Sequence, residues 1–344
     1  MKRIMVTGSA GFIGYHTAAR LLRDGHEVVG IDNLNAYYDV GLKQARLQRL
    51  IDQSPDAFTF ERISIADRQQ MERVFKEHRP THVIHMAAQA GVRHSLKEPH
   101  EYAESNLVGF LNVLESCRSH SIRHLLFASS SSVYGSNENL PYSEHHSAEH
   151  PLSLYAATKK ANEMMAHSYA HLYGIPSTGL RFFTVYGPWG RPDMAYYSFA
   201  RAIVEGRPIQ VYNQGRMKRD FTYIDDIVEG IVRLLDRPAV PDPDWDAERP
   251  DPAVSSAPYR IYNIGNHEPV PLLDFISILE KELGMPAVKE FLDMQSGDVV
   301  ETFADTADLR RDVGFAPSTP LEIGLARFAE WFKTYHSVGK EAGK

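Results

Sequence analysis

Tyr155 and Lys159 are the two residues whose types and spacing point most directly to proton transfer. They lie four residues apart in a helix-like segment, so both side chains share one helix face. An ammonium group beside a phenol favours the phenolate and lowers its pKa, which makes the tyrosine a usable general base near neutral pH. A core tyrosine beside a solvated lysine would give the same pattern, so the pair has to be judged with its surroundings.

A run of four serines, Ser129–Ser132, follows a strand-like segment at 123–129. Ligands bind at the carboxyl ends of the strands in doubly wound sheets, which is where this run is expected to lie. Hydroxyl groups there can pass protons and hold a polar ligand without adding charge. A polar exit from the strand into a loop is an alternative explanation for two of the four serines.

Three glycines, Gly8, Gly11 and Gly14, lie between the first predicted strand and the first predicted helix. Side chains would block both the sharp turn and the approach of a pyrophosphate to the backbone, and the helix N-terminus favours phosphate. Asp32, at the end of the second predicted strand, can accept both ribose hydroxyls and repels a 2′-phosphate. The loop alone could be a glycine-rich turn, but strand, loop, helix and acid together predict NAD rather than NADP.

An alternation of strands and helices is needed to bring these groups to one edge of a sheet. Strand-like segments occur at 2–7, 27–31, 58–63, 82–87, 123–129 and 177–183. Helix-like segments alternate with them at 12–24, 68–78, 101–118 and 153–173. This order predicts an α/β fold with a doubly wound parallel sheet of the Rossmann type.

The second part of the chain has a looser pattern, with helices predicted at 197–206, 224–236, 271–284 and 319–335. We expect residues 1–187 to form the NAD-binding domain, with later segments near 219–236 and 259–266 returning to it. Residues 188–340 are expected to form a smaller C-terminal substrate-binding domain. The stretch 237–258, rich in Pro and Asp, is interpreted as a mobile surface excursion.

Composition narrows the class of protein. The 344 residues carry a formal net charge of -7 without a dense basic block, which argues against nucleic acid and anionic membranes as partners. The longest apolar runs are strand-sized and the N-terminal segment does not resemble a signal peptide, so we expect a soluble, cytoplasmic enzyme. Sixteen histidines invite a metal hypothesis, but His145 and His146 have no cysteine partner nearby and Cys117 is the sole cysteine, so no metal is expected.

The glycine spacing GxxGxxG and the YxxxK pattern of Tyr155 and Lys159 resemble the extended short-chain dehydrogenase/reductase family. Further segments are similar to the UDP-glucuronate 4-epimerases of that family: DNLNAYYDVGLKQARL (32–47), AAQAGVRHS (87–95), SNLVGFLNVLE (105–115), SSSSVYG (129–135), SLYAATKKANE (153–163), RFFTVYGPWGRPDM (181–194) and RDFTYIDDIVEG (219–230). Their joint order and spacing are more specific to sugar-nucleotide epimerases in general than to one sugar.

The resemblance implies an isomerase that inverts carbon 4 of UDP-glucuronic acid to give UDP-galacturonic acid. Tightly bound NAD would oxidise the sugar transiently to a 4-keto intermediate. Related dehydratases carry Asp-Glu in place of Ser131 and Ser132, and related decarboxylases carry Glu in place of Ser132, so this chain lacks the acids for those reactions. The resemblance also implies a homodimer formed through the helices at 101–118 and 153–173.

The resemblance assigns roles to individual residues. Catalysis would rest on Tyr155, Lys159 and Ser130, with Ser130 hydrogen-bonding the sugar 4-hydroxyl. Cofactor contacts are expected from Tyr155, Lys159, Gly8, Gly11, Phe12, Ile13, Gly14, Asp32, Asn33, Ser64, Ile65, Ala87 and Asn106. Ser64 departs from the family, which often has Asp there to meet the adenine amino group. Substrate contacts are expected from Ser130, Ser131, Ser132, Thr184, Arg191, Tyr212, Arg219 and Asp298.

Two of these substrate residues bear on which sugar is bound. Thr184 stands where many glucose/galactose epimerases have Asn, and its small hydroxyl leaves room for a carboxylate. Arg191 could supply a positive charge nearby, although a surface arginine in a turn is an equal alternative. A 4-epimerase of a neutral UDP-sugar, such as UDP-glucose or UDP-N-acetylglucosamine, therefore stays open. A catalytically idle NAD-binding regulator is a further alternative, which the intact Ser130, Tyr155 and Lys159 disfavour.

Overall fold

The computed structural model describes residues 1–294 and 299–338. Its strands are β1 (Arg3–Thr7), β2 (Glu27–Ile31), β3 (Phe58–Glu61), β4 (His82–His85), β5 (His124–Ser130), β6 (Ser177–Phe182), β7 (Thr184–Tyr186), β8 (Ile209–Val211), β9 (Lys218–Tyr223), β10 (Tyr259–Ile264), β11 (Pro269–Pro271), β12 (Lys289–Phe291) and β13 (Glu301–Thr302). Its helices are α1 (Phe12–Arg23), α2 (Val40–Gln53), α3 (Arg68–His78), α4 (Pro99–Tyr102), α5 (Gly109–Ser119), α6 (Leu154–Tyr173), α7 (Ala195–Val204), α8 (Ile224–Leu235), α9 (Leu272–Leu283), α10 (Ala307–Val313) and α11 (Leu321–Tyr335).

Seven parallel strands form the main sheet, in the order β10-β6-β5-β4-β1-β2-β3. Helices α1, α2 and α8 pack on one face, while α3, α5 and α6 pack on the other. Strands buried on both faces are rich in Val, Ile and Leu, as the apolar runs of β1 and β5 show. The doubly wound parallel sheet predicted from the sequence is confirmed.

The strands outside the main sheet form a smaller, four-stranded sheet and a separate pair of strands. Strand β9 lies between β11 and β13 and also pairs with β7, and β8 pairs with β12 apart from them. Of the segments predicted to return to the first domain, β10 extends the main sheet and α8 packs on α1, but β9 belongs to the smaller sheet. The stretch 237–258 is mostly exposed, yet Ala253 and Ser255 are buried where it leads into β10. The division into two domains stays a prediction.

Helix α2 was not predicted from the sequence. Asp39 caps it by accepting a hydrogen bond from the N–H of Gly41 at 2.8 Å. Its buried face includes Lys43 and Arg46 beside leucines, so the apolar periodicity that marks an amphipathic helix is interrupted. The helix connects β2 to β3 and lies against the predicted phosphate loop.

The helix predicted at 101–118 is observed as a longer run with an irregular centre. Helices α4 and α5 are joined by a π-helical segment, Ala103–Val108. Such segments often occur at functional sites because they change the direction of one side chain. Here the buried Asn106 lies within the segment. Among the described residues, no helix is long and apolar enough to cross a membrane.

Candidate active site

The phosphate loop has the shape that a pyrophosphate requires. Gly8 has φ 72°, in the left-handed region, and a Cβ there would lie 2.7 Å from the backbone nitrogen of Ala87. A Cβ on Gly14 would lie 2.1 Å from the carbonyl oxygen of Gly8. Helix α1 begins directly afterwards with Gly11 as N-cap, and no side chain among the described residues caps it. The loop and helix end therefore fit a phosphate group.

Asp32 follows β2 beside this loop. Its carboxylate accepts hydrogen bonds from the N–H of Leu34 at 2.8 Å and of Ala10 at 3.2 Å. Burial raises the pKa of Asp32, while these bonds and the charge of Lys43 oppose the rise. Its oxygens lie at the wall of the same cavity as the glycines, where a ribose would meet them.

One cavity of about 390 Å³ joins the loop to the predicted chemistry. It runs from the phosphate loop past the ends of β2, β4 and β5 to the first residues after β6. Of the residues predicted from the sequence, it is lined by Gly8, Gly11, Phe12, Ile13, Gly14, Asp32, Asn33, Ile65, Ala87, Ser130, Ser131, Ser132, Tyr155, Lys159, Thr184 and Arg191. Catalytic, cofactor and sugar residues predicted separately thus share one space.

Tyr155 and Lys159 lie on the first turns of α6, facing this cavity. Lys159 is 2% exposed, and its ammonium donates to the carbonyl of Ala128 at 2.9 Å. Burial lowers the pKa of Lys159 to about 8, and the Glu163 carboxylate opposes that shift. A lysine with a pKa of about 8 is positively charged at pH 7 and can donate a proton to a neighbouring group.

The predicted direction of the Tyr155 pKa is wrong for the chain by itself. Burial raises the pKa of Tyr155, and the opposing influences are a hydrogen bond with Ser130 and the charge of Arg191. The reason is that the Lys159 ammonium is directed to the Ala128 carbonyl, while the phenol sits in a poorly solvated place. Ser130, rather than Lys159, is the close partner of the phenol.

The serine run divides into two parts. Ser129 lines the cavity as the other three do, but its hydroxyl donates to the buried Glu163 at 2.7 Å. Ser130 Oγ accepts from the N–H of Ser132 at 3.2 Å and donates to its hydroxyl at 3.1 Å. Ser131 and Ser132 begin a short 3-10 turn, Ser131–Tyr134. Three hydroxyls therefore remain beside Tyr155 for a sugar.

Arg191 is not a free surface arginine. Its guanidinium makes a bidentate ion pair with Asp193, with Nε–Oδ1 at 3.0 Å and Nη2–Oδ2 at 2.6 Å. The Tyr37 hydroxyl donates to the same Asp193 carboxylate at 3.1 Å. Arg191 lines the cavity with Thr184. A positive charge thus lies at the end of the cavity lined by Thr184, the predicted sugar end, and it is already partly balanced by Asp193.

Two predicted cofactor residues do not line the cavity. The side chain of Asn106 is hydrogen-bonded to other residues of the protein. It accepts from the N–H of Gln89 at 2.8 Å, and it donates to the carbonyl of Gln89 and to the Thr158 hydroxyl, both at 3.0 Å. It therefore fixes the loop after β4, which does line the cavity. The Ser64 hydroxyl accepts from the N–H of Ala66 at 3.2 Å. Their contact with a cofactor stays a prediction.

Tyr212 and Arg219, predicted to contact the uridine end of the substrate, do not line this cavity. The Tyr212 hydroxyl donates to Gln210 at 2.6 Å, and the Arg93 guanidinium lies 5.1 Å from the centroid of its ring. Arg219 donates to the carbonyls of Lys218 at 2.8 Å and Val300 at 3.1 Å. Asp298 lies outside the described residues. The structure does not bring Tyr212 and Arg219 into the cavity, so their roles stay predictions.

The structure adds cavity residues that the sequence did not single out: Tyr37, Lys43 and Gln89. The first two lie within the segment 32–47, whose similarity to relatives was the available signal. A possible metal-ligand group in the described residues, Glu61, Glu77 and His78, does not line this cavity, and Arg73 already binds both carboxylates.

Comparisons with known proteins place this geometry in a family. Residues 4–265 match the model of the NAD dependent epimerase/dehydratase family. The chain is 49% identical over 334 residues to a probable UDP-glucuronate 4-epimerase of Rhizobium meliloti, covering 96% of each chain. It is 45% identical to UDP-glucuronate 4-epimerase 3 of Arabidopsis thaliana, covering 98% of this chain and 78% of that one.

A solved structure agrees with the sequence relatives. The fold matches the crystal structure of UDP-glucuronic acid 4-epimerase from Bacillus cereus in complex with UDP-glucuronic acid and NAD, with a TM-score of 0.85 and 33% identity. The match covers 97% of this chain and 99% of that chain. With its phosphate loop, its Tyr155–Lys159 pair and a family model matched from residue 4 to residue 265, the chain belongs to the NAD dependent epimerase/dehydratase family.

Proposed function

We propose that this protein is an isomerase that interconverts UDP-glucuronic acid and UDP-galacturonic acid by inverting carbon 4. The observation that carries the proposal is the single cavity that joins an NAD-type phosphate loop to Tyr155, Ser130, Thr184 and Arg191. The near full-length relatives from Rhizobium meliloti and Arabidopsis thaliana bear the name of this activity. NAD is the cofactor, since the Bacillus cereus neighbour holds it and Asp32 stands where it selects NAD.

The chain's own residues move one proton in each direction. Tyr155 accepts the proton of the sugar 4-hydroxyl, and Ser130, hydrogen-bonded to the phenol, holds that hydroxyl in place. NAD, which the phosphate loop and Asp32 would hold, would supply a reversible hydride acceptor for carbon 4 and positive charge that favours the phenolate. Lys159 keeps positive charge beside the reacting groups. Tyr155 then gives its proton back to the new 4-hydroxyl.

The carboxylate of the sugar has to be held still during this reaction. A 4-keto uronic acid is a β-keto acid, which loses CO₂ when the carboxylate bond aligns with the ketone π system. Ser131, Ser132 and Thr184 offer hydroxyl donors at the sugar end, and Arg191 offers charge. Each such donor to an anion is worth about 1.5–3 kcal/mol. This donor set favours a carboxylate over a hydroxymethyl group.

The deciding experiment is to incubate the purified protein with UDP-glucuronic acid, without added NAD, and to resolve the products by ion-exchange chromatography. We expect UDP-galacturonic acid to appear and no NADH to accumulate, because the cofactor returns to its starting state in each cycle. Accumulating NADH would show a dehydrogenase instead. Absence of turnover with NAD still bound to the chain would favour an idle regulator.

The second candidate is a 4-epimerase of a neutral UDP-sugar. It is favoured by the ion pair between Arg191 and Asp193, which reduces the positive charge that a carboxylate would meet. The ratio of kcat/KM for UDP-glucuronic acid to that for UDP-glucose separates the two candidates. A ratio near one or below contradicts the glucuronate proposal and leaves the epimerase activity standing.

A homodimer completes the proposal. Helices α5 and α6 pack side by side on the outer face of the main sheet, and they expose apolar residues to solvent. Leu111 is 41%, Met164 52% and Leu172 65% exposed. Two copies that pair through these helices would bury this surface around a two-fold axis.

A further inference from the structure

Arg46 on α2 is fully buried, and its five N–H groups reach three segments of the chain. Nη1 donates to the carbonyl of Ala10, inside the phosphate loop, and to the Tyr38 hydroxyl, both at 2.8 Å. Nε and Nη2 donate to the carbonyl of Trp189 at 3.0 and 2.7 Å, and Nη2 also reaches the carbonyl of Gly190 at 3.0 Å. One guanidinium thus joins the cofactor loop to the loop that carries Arg191.

The partners of Arg46 are all neutral oxygens. Within residues 1–294 and 299–338, no carboxylate lies close enough to form an ion pair with it. Burying a guanidinium without a counter-ion is unfavourable unless its donors are satisfied, and here each of them is. Its positive charge lies behind the loop that receives a pyrophosphate, where it would attract that anion across a poorly solvated distance.

The peptide that Arg46 holds is a strained one. Trp189 has φ 60°, a left-handed conformation that residues with large side chains rarely adopt. Gly190 follows it, and a Cβ there would lie 1.8 Å from the Tyr196 hydroxyl. Such a conformation persists only where its surroundings enforce it. The two hydrogen bonds from Arg46 to the Trp189 carbonyl do so, two residues before Arg191.

We propose that Arg46 is a positioning residue with two separable effects. Its charge helps to retain NAD on the phosphate loop. Its planar fork holds the Trp189–Gly190 peptide so that Arg191 stays in the cavity and the enzyme prefers a carboxylate-bearing sugar. The second effect rests on the proposed function, whereas the first does not.

The charge and the fork are separated by comparing Arg46→Lys with Arg46→Met. Lysine keeps the charge but cannot donate in a fork, and methionine loses both. We expect Arg46→Met to raise the Kd for NAD about tenfold, and Arg46→Lys to stay near wild type. Both variants should lower the kcat/KM preference for UDP-glucuronic acid over UDP-glucose by about tenfold to a hundredfold.

Arg49→Met is the matched control. Arg49 lies one turn further along α2, is exposed, and stacks its guanidinium 5.3 Å from the ring centroid of Trp189 without binding its carbonyl. It should leave both the Kd for NAD and the sugar preference unchanged. Melting curves and NAD titrations of all three variants show whether each is folded.

Several outcomes would overturn the proposal. Arg46→Lys with an unchanged sugar preference removes the fork effect, and Arg46→Lys with NAD binding as weak as in Arg46→Met removes the charge effect. If Arg46→Met does not fold, Arg46→Gln replaces it as the variant without the charge, and Arg46→Lys against Arg49→Met still decides the fork effect. If the wild-type protein does not turn over UDP-glucuronic acid, the proposed function fails, and the NAD titrations still decide the charge effect.

Discussion

Burial raises the pKa of the Tyr155 phenol, and a hydrogen bond with Ser130 opposes that rise. Replacing Tyr155 with Phe removes the proton acceptor and keeps the ring. We expect kcat to fall by about two to four orders of magnitude, as is typical when a general base is lost. Steady-state rates with UDP-glucuronic acid measure the effect.

The control for this variant is its NAD content after purification. It should equal that of the wild type, because the phenol oxygen contributes to chemistry more than to holding the phosphate loop. A variant that keeps near wild-type kcat would show that Tyr155 is not the base. A variant that loses NAD would show that its main role is in cofactor binding.

Thr184 carries the second prediction at the scale of single residues. Thr184→Asn places a larger amide at the sugar end of the cavity, where its oxygen repels a carboxylate and its bulk crowds it. We expect the kcat/KM ratio of UDP-glucuronic acid to UDP-glucose to move toward the neutral sugar. Both substrates are assayed with one protein preparation. An unchanged ratio would mean that the serines set the specificity.

Residue types predicted which side chains line the cavity. They did not predict the ion pairs or the pKa directions of those side chains. The similarity of 181–194 to relatives placed Arg191 near the sugar, and the structure lines the cavity with it. Arg191 pairs with Asp193 in the same loop. The Tyr37 hydroxyl that binds Asp193 comes from a second loop, distant in sequence, and so could not be predicted from spacing. The rise in the Tyr155 pKa depends on burial, which spacing does not reveal.

At the scale of elements, a buried ion pair ties α6 to β6. Arg181 on β6 donates to Glu163 on α6 at 2.8 and 2.9 Å, and both side chains are at most 1% exposed. Glu163→Gln leaves the Arg181 charge buried without its carboxylate. We expect the free energy of unfolding to fall by about 3–5 kcal/mol. Urea denaturation at neutral pH measures it.

A matched double variant shows that the loss comes from the pair. Glu163→Gln combined with Arg181→Met should cost less than the sum of the two single variants, because the buried guanidinium is removed together with its carboxylate. Strict additivity would contradict the pairing. The double variant also shows whether the protein stays folded when neutral side chains replace the buried pair between α6 and β6.

The same carboxylate gives a prediction for pH. Burial opposes its charge, but Arg181, Lys160 and Ser129 lower the pKa of Glu163 from 4.5 to about 2. A depressed pKa contributes stability that is present above pH 4.5 and is lost as the pH falls toward 2. Wild-type stability should therefore drop across this window, and Glu163→Gln should show a shallower drop. Equal slopes would mean that other carboxylates control acid unfolding.

The alternation of strands and helices predicted the elements of the main sheet, since their apolar runs are long and regular. Helix α2 escaped prediction because two cations, Lys43 and Arg46, occupy its buried face. The π-helical segment Ala103–Val108 escaped as well, since six residues are too few for its wider turn to show as a separate period. Both exceptions border the cavity or support a loop that does.

At the scale of the whole molecule, the proposed dimer is the feature to test. Leu111→Arg places a charge among the exposed apolar residues of α5 and α6. We expect the wild-type protein to elute as a dimer in size-exclusion chromatography with light scattering, and the variant to elute as a monomer. The penalty arises because a paired surface would bury the guanidinium without a partner.

Ile323→Arg is the control for the dimer. Ile323 on α11 is 47% exposed, similar to Leu111, but lies in the second part of the chain. This variant should remain a dimer. A wild-type monomer, or dimers for both variants, would contradict pairing through α5 and α6.

The strand order could not be predicted in full because segments far apart in sequence share one sheet. The looser pattern after residue 187 gave no register for β9, which pairs with β7 in parallel and with β11 in the opposite direction. The apolar strand β10 gave a stronger signal, yet its neighbour β6 lies far upstream. Short strands of two or three residues, such as β13, carry too few residues for a periodic pattern.

The position of β10 has a consequence for the newly made chain on the ribosome. Strand β6 ends at Phe182, but β10, which covers its outer edge, is complete only at Ile264. At a synthesis rate of about 5–20 residues per second, the edge of β6 stays unpaired for several seconds until β10 has been synthesised. During that time its unpaired N–H and C=O groups can bind another strand. Nascent chains stalled in this interval should therefore depend on chaperones more than chains that have passed Ile264.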